Sequence, residues 1–227
     1  MLFRSRGKWV PSAGDFQHLG LWYPAGEHIT KHLAERLAGE EFYHADRFYD
    51  AMKNVTTWRG AVECGAHVGA WSIQLAKRFQ RVVAIEMHPA TATCLQANLA
   101  AHPNAQVVLA ALGEKPGYAE LQSPDGPISS RLGPGEKTVV RPLDDVLEEI
   151  EPAFNIDYLK IHVNGYELQV LRGAVNTINR HRPIMTIVLK PALENYGTTQ
   201  EDILNRMESI GYRVASRLKP YWVFAPK

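Results

Sequence analysis

Cysteine is scarce: 227 residues contain only Cys64 and Cys94. Both fall in segments whose pattern predicts a buried strand and a helix, so no disulfide framework is expected and a reducing compartment fits. Long apolar runs are missing, and the opening MLFRSRGKWVPSAG offers neither a signal peptide nor a membrane-spanning helix. The expected location is the cytoplasm, with no membrane partner. Charge of one sign is missing as well: 25 Lys and Arg against 24 Asp and Glu leave a formal +1. That balance predicts no strong attraction to nucleic acid, although a local basic patch would escape the sum and nucleic acid is not excluded as a substrate. Neither GxxxxGK[ST] nor GxGxxG occurs, which disfavours a pyrophosphate dinucleotide.

What is present is arranged around Ala61 to Trp71, AVECGAHVGAW. An apolar strand runs into Glu63, then Gly65 and, four positions on, Gly69, and then a segment with Trp71, Ile73, Leu75, Ala76 and Phe79 at helical steps. A strand, glycine loop and helix let a small molecule lie against bare backbone. A second buried strand, Val82 to Glu86, ends in an acid about twenty residues later, the place where a carboxylate suits two ribose hydroxyls. A nucleoside-containing cofactor is the expectation. The form acid-x-Gly-x-x-x-Gly resembles the first motif of S-adenosylmethionine (SAM) methyltransferases.

The length suits one α/β domain with a sizeable core. Residues 1–55 are read as an N-terminal arm and helices packed on the core, with the main domain at 56–227. Trp22-Tyr23-Pro24 either packs on the body or lids the site, and packing is favoured because buried aromatics are common. Ile29, Leu33 and Leu37 step by four, followed by Phe42, Phe48 and Tyr49. His28 and His32 are also four apart and would share a helix face, with His44 or Asp46 as a third metal ligand. A solvated face is the simpler reading, and no metal is assigned.

Further strands are expected at Val107 to Ala111, Tyr158 to His162 and Ile184 to Leu189. Helices are expected over Ala90 to Ala101, through Leu168, Leu171, Val175 and Ile178, and from Thr198-Thr199-Gln200-Glu201 to Ile210. Asp145 and Glu148 suggest a capping box. Leu112 to Thr138, rich in Gly and Pro, reads as a hairpin-like insertion or long loop in which Ser129, Ser130 and Arg131 either reach a substrate or are plain loop polar groups. Tyr212 to Leu218 and Tyr221 to Phe224, closely joined through Lys219-Pro220, favour antiparallel pairing. Together these elements predict an open, mostly parallel sheet.

AVECGAHVG, VVAIEMHP, VVLAALGEKPG, PLDDV, IDYLKIHVNGYELQVLRGA and RPIMTIVLK, in that order, resemble the motifs of FkbM-like SAM-dependent methyltransferases. The likeness runs from about Glu27 to the C-terminus, and short forms of this kind look frequent among bacteriophage proteins, which would place the protein in host cytoplasm. The resemblance implies a Rossmann-like seven-stranded fold with an antiparallel C-terminal strand, SAM as methyl donor and S-adenosylhomocysteine (SAH) as product, and a hydroxyl acceptor on a sugar, glycan or small metabolite. It also implies that Glu63, Gly65, Ala66, His67 and Gly69 lie along the methionine part. Glu86 would take the ribose, Met87 would flank the adenine, and Ala110 and Ala111 would supply backbone.

The departures from that pattern bear on the chemistry. Where such proteins usually read KIDVEG, this chain reads Lys160-Ile161-His162-Val163-Asn164-Gly165, and its fifth strand closes Val188-Leu189-Lys190 where a glutamate is common. An oxygen-ligand site for Mg²⁺ or Ca²⁺ is then hard to build. His162 at a strand end becomes the candidate base, Asn164 the acceptor ligand and Lys190 the counter to developing negative charge. The rival expectation is a SAM- or SAH-binding module that has lost turnover and acts in interaction or regulation. A third is a metalloprotein using His28, His32 and His44.

Overall fold

The computed structural model describes residues 16–18, 20–25, 41–123, 131–133, 135–150 and 153–227. The expectations for His28, His32, Ile29, Leu33, Leu37, Ser129 and Ser130 lie outside the described residues. Among the described residues the first elements are the antiparallel pair β1 (Phe16–His18) and β2 (Leu21–Tyr23), and then α1 (Ala45–Met52). Strand and helix then alternate through β3 (Gly60–Cys64), α2 (Ala70–Ala76), β4 (Arg81–Glu86), α3 (Pro89–Asn98) and β5 (Ala105–Leu109). Four short strands follow: β6 (Ala111–Leu112), β7 (Gly117–Gln122), β8 (Arg131–Leu132) and β9 (Glu136–Arg141). Next come α4 (Leu143–Glu148), β10 (Tyr158–Ile161), α5 (Glu167–Arg172), α6 (Val175–His181) and β11 (Ile184–Val188). A 3₁₀ segment at Pro191–Tyr196, α7 (Gln200–Ser209), β12 (Tyr212–Leu218) and β13 (Tyr221–Pro226) complete the chain.

The main sheet has seven strands in the order β12-β13-β11-β10-β3-β4-β5. Strands β5, β4, β3, β10 and β11 run parallel, and β13 is antiparallel to both β11 and β12. Every residue of β3 and of β10 is buried, as expected of central parallel strands covered on both faces. Alternation divides their side chains. Val62, Cys64, Leu159 and Ile161 pack with Leu171, Ile178, Ile203 and Met207 on one face. Ala61 and Tyr158 pack with Phe48, Trp71, Leu75 and Phe79 on the other. Strand order reverses between β3 and β10, which opens a crevice beyond their carboxyl ends.

Several expectations need correction. Of the two readings of Leu112 to Thr138, the hairpin-like insertion holds and the long loop does not: its described parts join a second sheet, order β6-β9-β7-β8, in which β7 pairs antiparallel with β8 and β9. Gly113, Pro116, Gly133 and Gly135 stand between its short strands. Asp145 and Glu148 form no capping box, because α4 begins after Pro142 with no side-chain cap. Asp144 caps a different helix, its Oδ1 and Oδ2 accepting from the backbone N–H groups of Thr177 and Asn176 in α6. The single helix expected through Leu168 and Ile178 is two, broken at Gly173; a Cβ there would stand 2.0 Å from the Gly113 carbonyl oxygen, so the two segments meet a neighbouring turn too closely for a side chain. The capping box of α7 uses Thr199 and Asp202, one residue later than the Thr198 to Glu201 frame.

Trp22 and Tyr23 pack on the body. Asn98 accepts from the Trp22 N–H at 2.8 Å and donates to the carbonyls of Trp22 and Val68, while Tyr23 is buried against Val68 and Cys94. Among the described residues no helix is long and apolar enough to cross a membrane.

Candidate active site

A cavity opens at the β3/β10 switch point. The loop after β3 is drawn under it: the N–H groups of Gly65 and Ala66 both donate to the Ile85 carbonyl, at 2.9 and 3.0 Å. Gly65 has φ +78°, and a Cβ there would meet the His162 carbonyl oxygen at 1.9 Å, so the loop reaches the end of β10 only as glycine. Glu63, Gly65, Ala66, His67, Glu86, Met87 and Ala110 line the cavity toward β4 and β5, and His162, Asn164 and Lys190 line it toward β10 and β11. Gly69 and Ala111 do not line it. Gly69 (φ +92°) sits at the start of α2 with Leu95 2.7 Å from where its Cβ would be. Ala111 has already entered the second sheet beside Val140.

Glu86, at the tip of β4, is held by three backbone donors. Oε1 accepts from the N–H groups of Met87 and His88, and Oε2 from that of His67, each at 2.9 Å. A carboxylate offers about four lone-pair sites, so about one is left for a ligand hydroxyl unless the His67 amide lets go. The carboxyl group is fixed where a ribose is expected, which fits a nucleoside.

Glu63 stands beside Lys160 because β3 and β10 pair in parallel with those residues in register. Lys160 Nζ donates to Glu63 Oε1 at 2.6 Å and Ser72 Oγ to Oε2 at 2.5 Å, with both charged side chains buried. The ammonium also lies 4.9 Å from the Trp71 ring centroid. Glu63 therefore faces the cavity as half of a neutral pair rather than as an available anion. Lys160, Trp71 and the Tyr221 ring stacked 5.6 Å from it were not singled out in the sequence. Period-2 alternation placing Lys160 on the face of His162 was the available signal.

At the opposite end, His162 Nε2 and Lys190 Nζ are 2.8 Å apart. The backbone N–H of His162 extends the β10 ladder to the Cys64 carbonyl, which fixes the ring at the strand end. Burial first, then the charge of Lys190, with Lys160, His44 and His67 adding, holds the His162 imidazole well below its usual range. At neutral pH the ring is uncharged, and in the pairing with Lys190 Nε2 accepts from the ammonium. Asn164 (φ +53°) turns the chain away beside it.

The second sheet reaches the cavity through Leu112 and Leu132. Tyr196 Oη donates to the Leu132 carbonyl at 2.8 Å and its ring meets Tyr166 edge-on at 4.9 Å, tying this sheet to the 3₁₀ segment behind Lys190. Tyr43 and Tyr221 also line the cavity. His44 packs against Tyr221, 5.2 Å between ring centroids, and among the described residues no group of three or more His, Cys, Asp or Glu is placed to hold a metal ion.

Comparison with known proteins gives three findings. The family model for the methyltransferase FkbM domain matches residues 63–214. Among solved structures, a methyltransferase FkbM from Methylobacillus flagellatus KT aligns over 74% of this chain and 43% of its own, at 22% identity and a TM-score of 0.55. The 16S rRNA N2 G1207 methyltransferase RsmC of T. thermophilus, solved with AdoMet and guanosine, aligns over 94% of this chain and 49% of its own, at 17% identity and a TM-score of 0.51. The chain thus spans less than half the length of either, and at these identities the likeness is one of fold. No curated protein matches the chain.

Proposed function

This chain belongs to the SAM-dependent methyltransferase family of the FkbM domain, and we propose that it transfers a methyl group from SAM to a hydroxyl oxygen of a small or sugar-like acceptor without a metal. The observation that carries this reading is the polarity of one cavity. A carboxylate clamped by three amides stands at the nucleoside end, and a neutral imidazole beside an ammonium stands at the other.

The residues divide the work as follows. Glu86 accepts from a ribose hydroxyl, Met87 and Ala110 flank the base, and the glycine loop bounds the methionine part. SAM supplies an electrophilic methyl on sulfonium. Asn164 positions the acceptor, His162 takes the hydroxyl proton at Nε2, and Lys190 places positive charge beside the developing alkoxide. General-base help of this kind contributes about 10² to 10⁴ in rate, and holding the acceptor in line supplies much of the rest. The ground for a metal-free route is the donor set: a histidine and an amide, His162 and Asn164, stand at the cavity where oxygen ligands for a hard cation would be acids.

A second reading, a SAM- or SAH-binding module without turnover, is favoured by one observation: Lys190 already occupies the His162 nitrogen that a base would use. Calorimetric titration with SAM and SAH, followed by an acceptor screen, separates them. One-to-one binding of both, lost in Glu86→Ala, together with methyl transfer that falls about 10²-fold or more in His162→Ala, supports the enzyme. Binding with no transfer to any acceptor supports the module. No binding of either ligand overturns both.

A further inference from the structure

The contact between His162 and Lys190 points to a substrate class. A lysine and a histidine at 2.8 Å can share only one proton without repulsion, and the ammonium donating to Nε2 consumes the lone pair that a base requires. The two carboxylates lining the cavity are already committed, Glu63 to Lys160 and Ser72, and Glu86 to three backbone amides. On this face the sheet thus presents a neutralised pair under the methionine end and Lys190 at the acceptor end, where the buried Glu167 carboxylate, held by the Val163 N–H, also feels its charge. Arg131, which begins the strand that supplies the lining residue Leu132, and Glu167 act on Tyr196 with opposite sign, so the two charges oppose each other there.

Resting on the methyl-transfer reading above, we propose that the acceptor is a hydroxylated anion, bearing a carboxylate or a phosphate, whose anionic group draws Lys190 Nζ off His162 Nε2 and thereby frees that nitrogen to act as base. In the step that follows, the acceptor O–H gives its proton to Nε2 while the oxygen forms a bond to the methyl carbon. The carbon–sulfur bond breaks with its electron pair passing to sulfur, leaving a neutral thioether. The imidazolium later yields its proton to water, so charge and atoms balance. A neutral alcohol leaves Lys190 in place and His162 masked, which makes the anion a condition of reaction as well as an anchor. The groups facing the imidazole are Lys190 on the segment after β11, Lys160 on β10, His67 on the glycine loop, His44 just before α1 and Tyr221 on β13. Lys190 is in hydrogen-bond contact with its Nε2.

The test uses the full chain saturated with SAH, whose binding is measured first by calorimetry. D-glucuronate, glucose 6-phosphate and glucose are then titrated into wild type, Lys190→Gln and Lys190→Arg, and the His162 ring is followed by ¹⁵N NMR across pH. Saturable binding of an anionic sugar is expected, with none of glucose. Loss of a charged hydrogen bond should weaken it about 10- to 100-fold in Lys190→Gln, and Lys190→Arg should retain most of it. Glucuronate alone would identify a carboxylate, glucose 6-phosphate alone a phosphate. The anion should also raise the His162 pKa in wild type, a readout that does not depend on any variant folding. Glucose binding as well as the anions, anion binding indifferent to Lys190→Gln, an unmoved His162 pKa, or no anion binding to the SAH complex would each overturn the inference and leave methyl transfer standing. Failure of SAH itself to bind would remove the reading on which it rests.

Discussion

Lys160 and Glu63 are adjacent through strand register, and their buried pair is costly to break. Each side chain is buried and each gains a second contact, Ser72 for the carboxylate and the Trp71 face for the ammonium. Removing one partner leaves the other as an uncompensated buried charge, a change of about 3–5 kcal/mol, whereas removing both together is often nearly neutral. Lys160→Met is therefore expected to lower unfolding free energy in urea by about that amount, and Lys160→Met with Glu63→Gln to recover most of it. A double variant no more stable than the single would show that packing against Trp71, rather than charge, is what Lys160 supplies. Of the cavity, the glycine loop, Glu86 and His162 were legible in the sequence because motif and strand end locate them. The pairing of Glu63 with Lys160 was not, since it needs the register of two strands about a hundred residues apart.

Among the elements, the continuous apolar runs at β3, β4 and β10 and the Gly and Pro stops around α6 and α7 could be read with small boundary shifts, because burial on both faces and chain breaking are local properties. The second sheet could be read only as far as a hairpin-like insertion set against a long loop, not as a sheet with a strand order. Its strands β6 and β8 have two residues each and leave no period to detect. Asp144 was passed over in favour of Asp145 because its partners lie 32 and 33 residues ahead, beyond any local capping pattern. Asn98 is similar: on α3 it holds the β1–β2 hairpin and the Val68 turn through three backbone hydrogen bonds. Asn98→Ala should release Leu21–Tyr23, seen as faster amide exchange at Trp22, with a loss of about 1–3 kcal/mol for the groups left unpaired. Because the same side chain steadies Val68 in the glycine loop, SAH affinity should fall too. Faster exchange with unchanged affinity would confine the role of Asn98 to the hairpin.

For the whole molecule, the buried titrating groups set how stability depends on pH, and their signs differ. Burial, then Lys190 and other cations, lowers the His162 pKa, and burial with Arg180 and Arg59 lowers that of His181. A depressed histidine binds its proton first in the unfolded chain, so its contribution is complete above about 6.5 and is lost as the pH falls from there toward the folded value. Burial tends to raise the Asp157 pKa, but the Arg59 side-chain and backbone hydrogen bonds outweigh it and the net shift is downward. That contribution is present above about 3.9 and is lost only at more acid pH. Glu167 runs the other way: burial raises its pKa against the backbone hydrogen bonds it accepts. Its charged form therefore costs stability above about 4.3, and the cost is relieved as acid protonates the folded group first. Unfolding free energy should accordingly be flat near pH 7 to 8 and fall below about 6.5, with His162 adding at most about 1.4 kcal/mol per pH unit. Urea titrations across pH should show a shallower fall in His162→Gln and a steeper one in Glu167→Gln, which removes the opposing group. If His162→Gln left the curve between pH 5 and 7 unchanged, the ring would titrate alike folded and unfolded, and Lys190 could not be masking it.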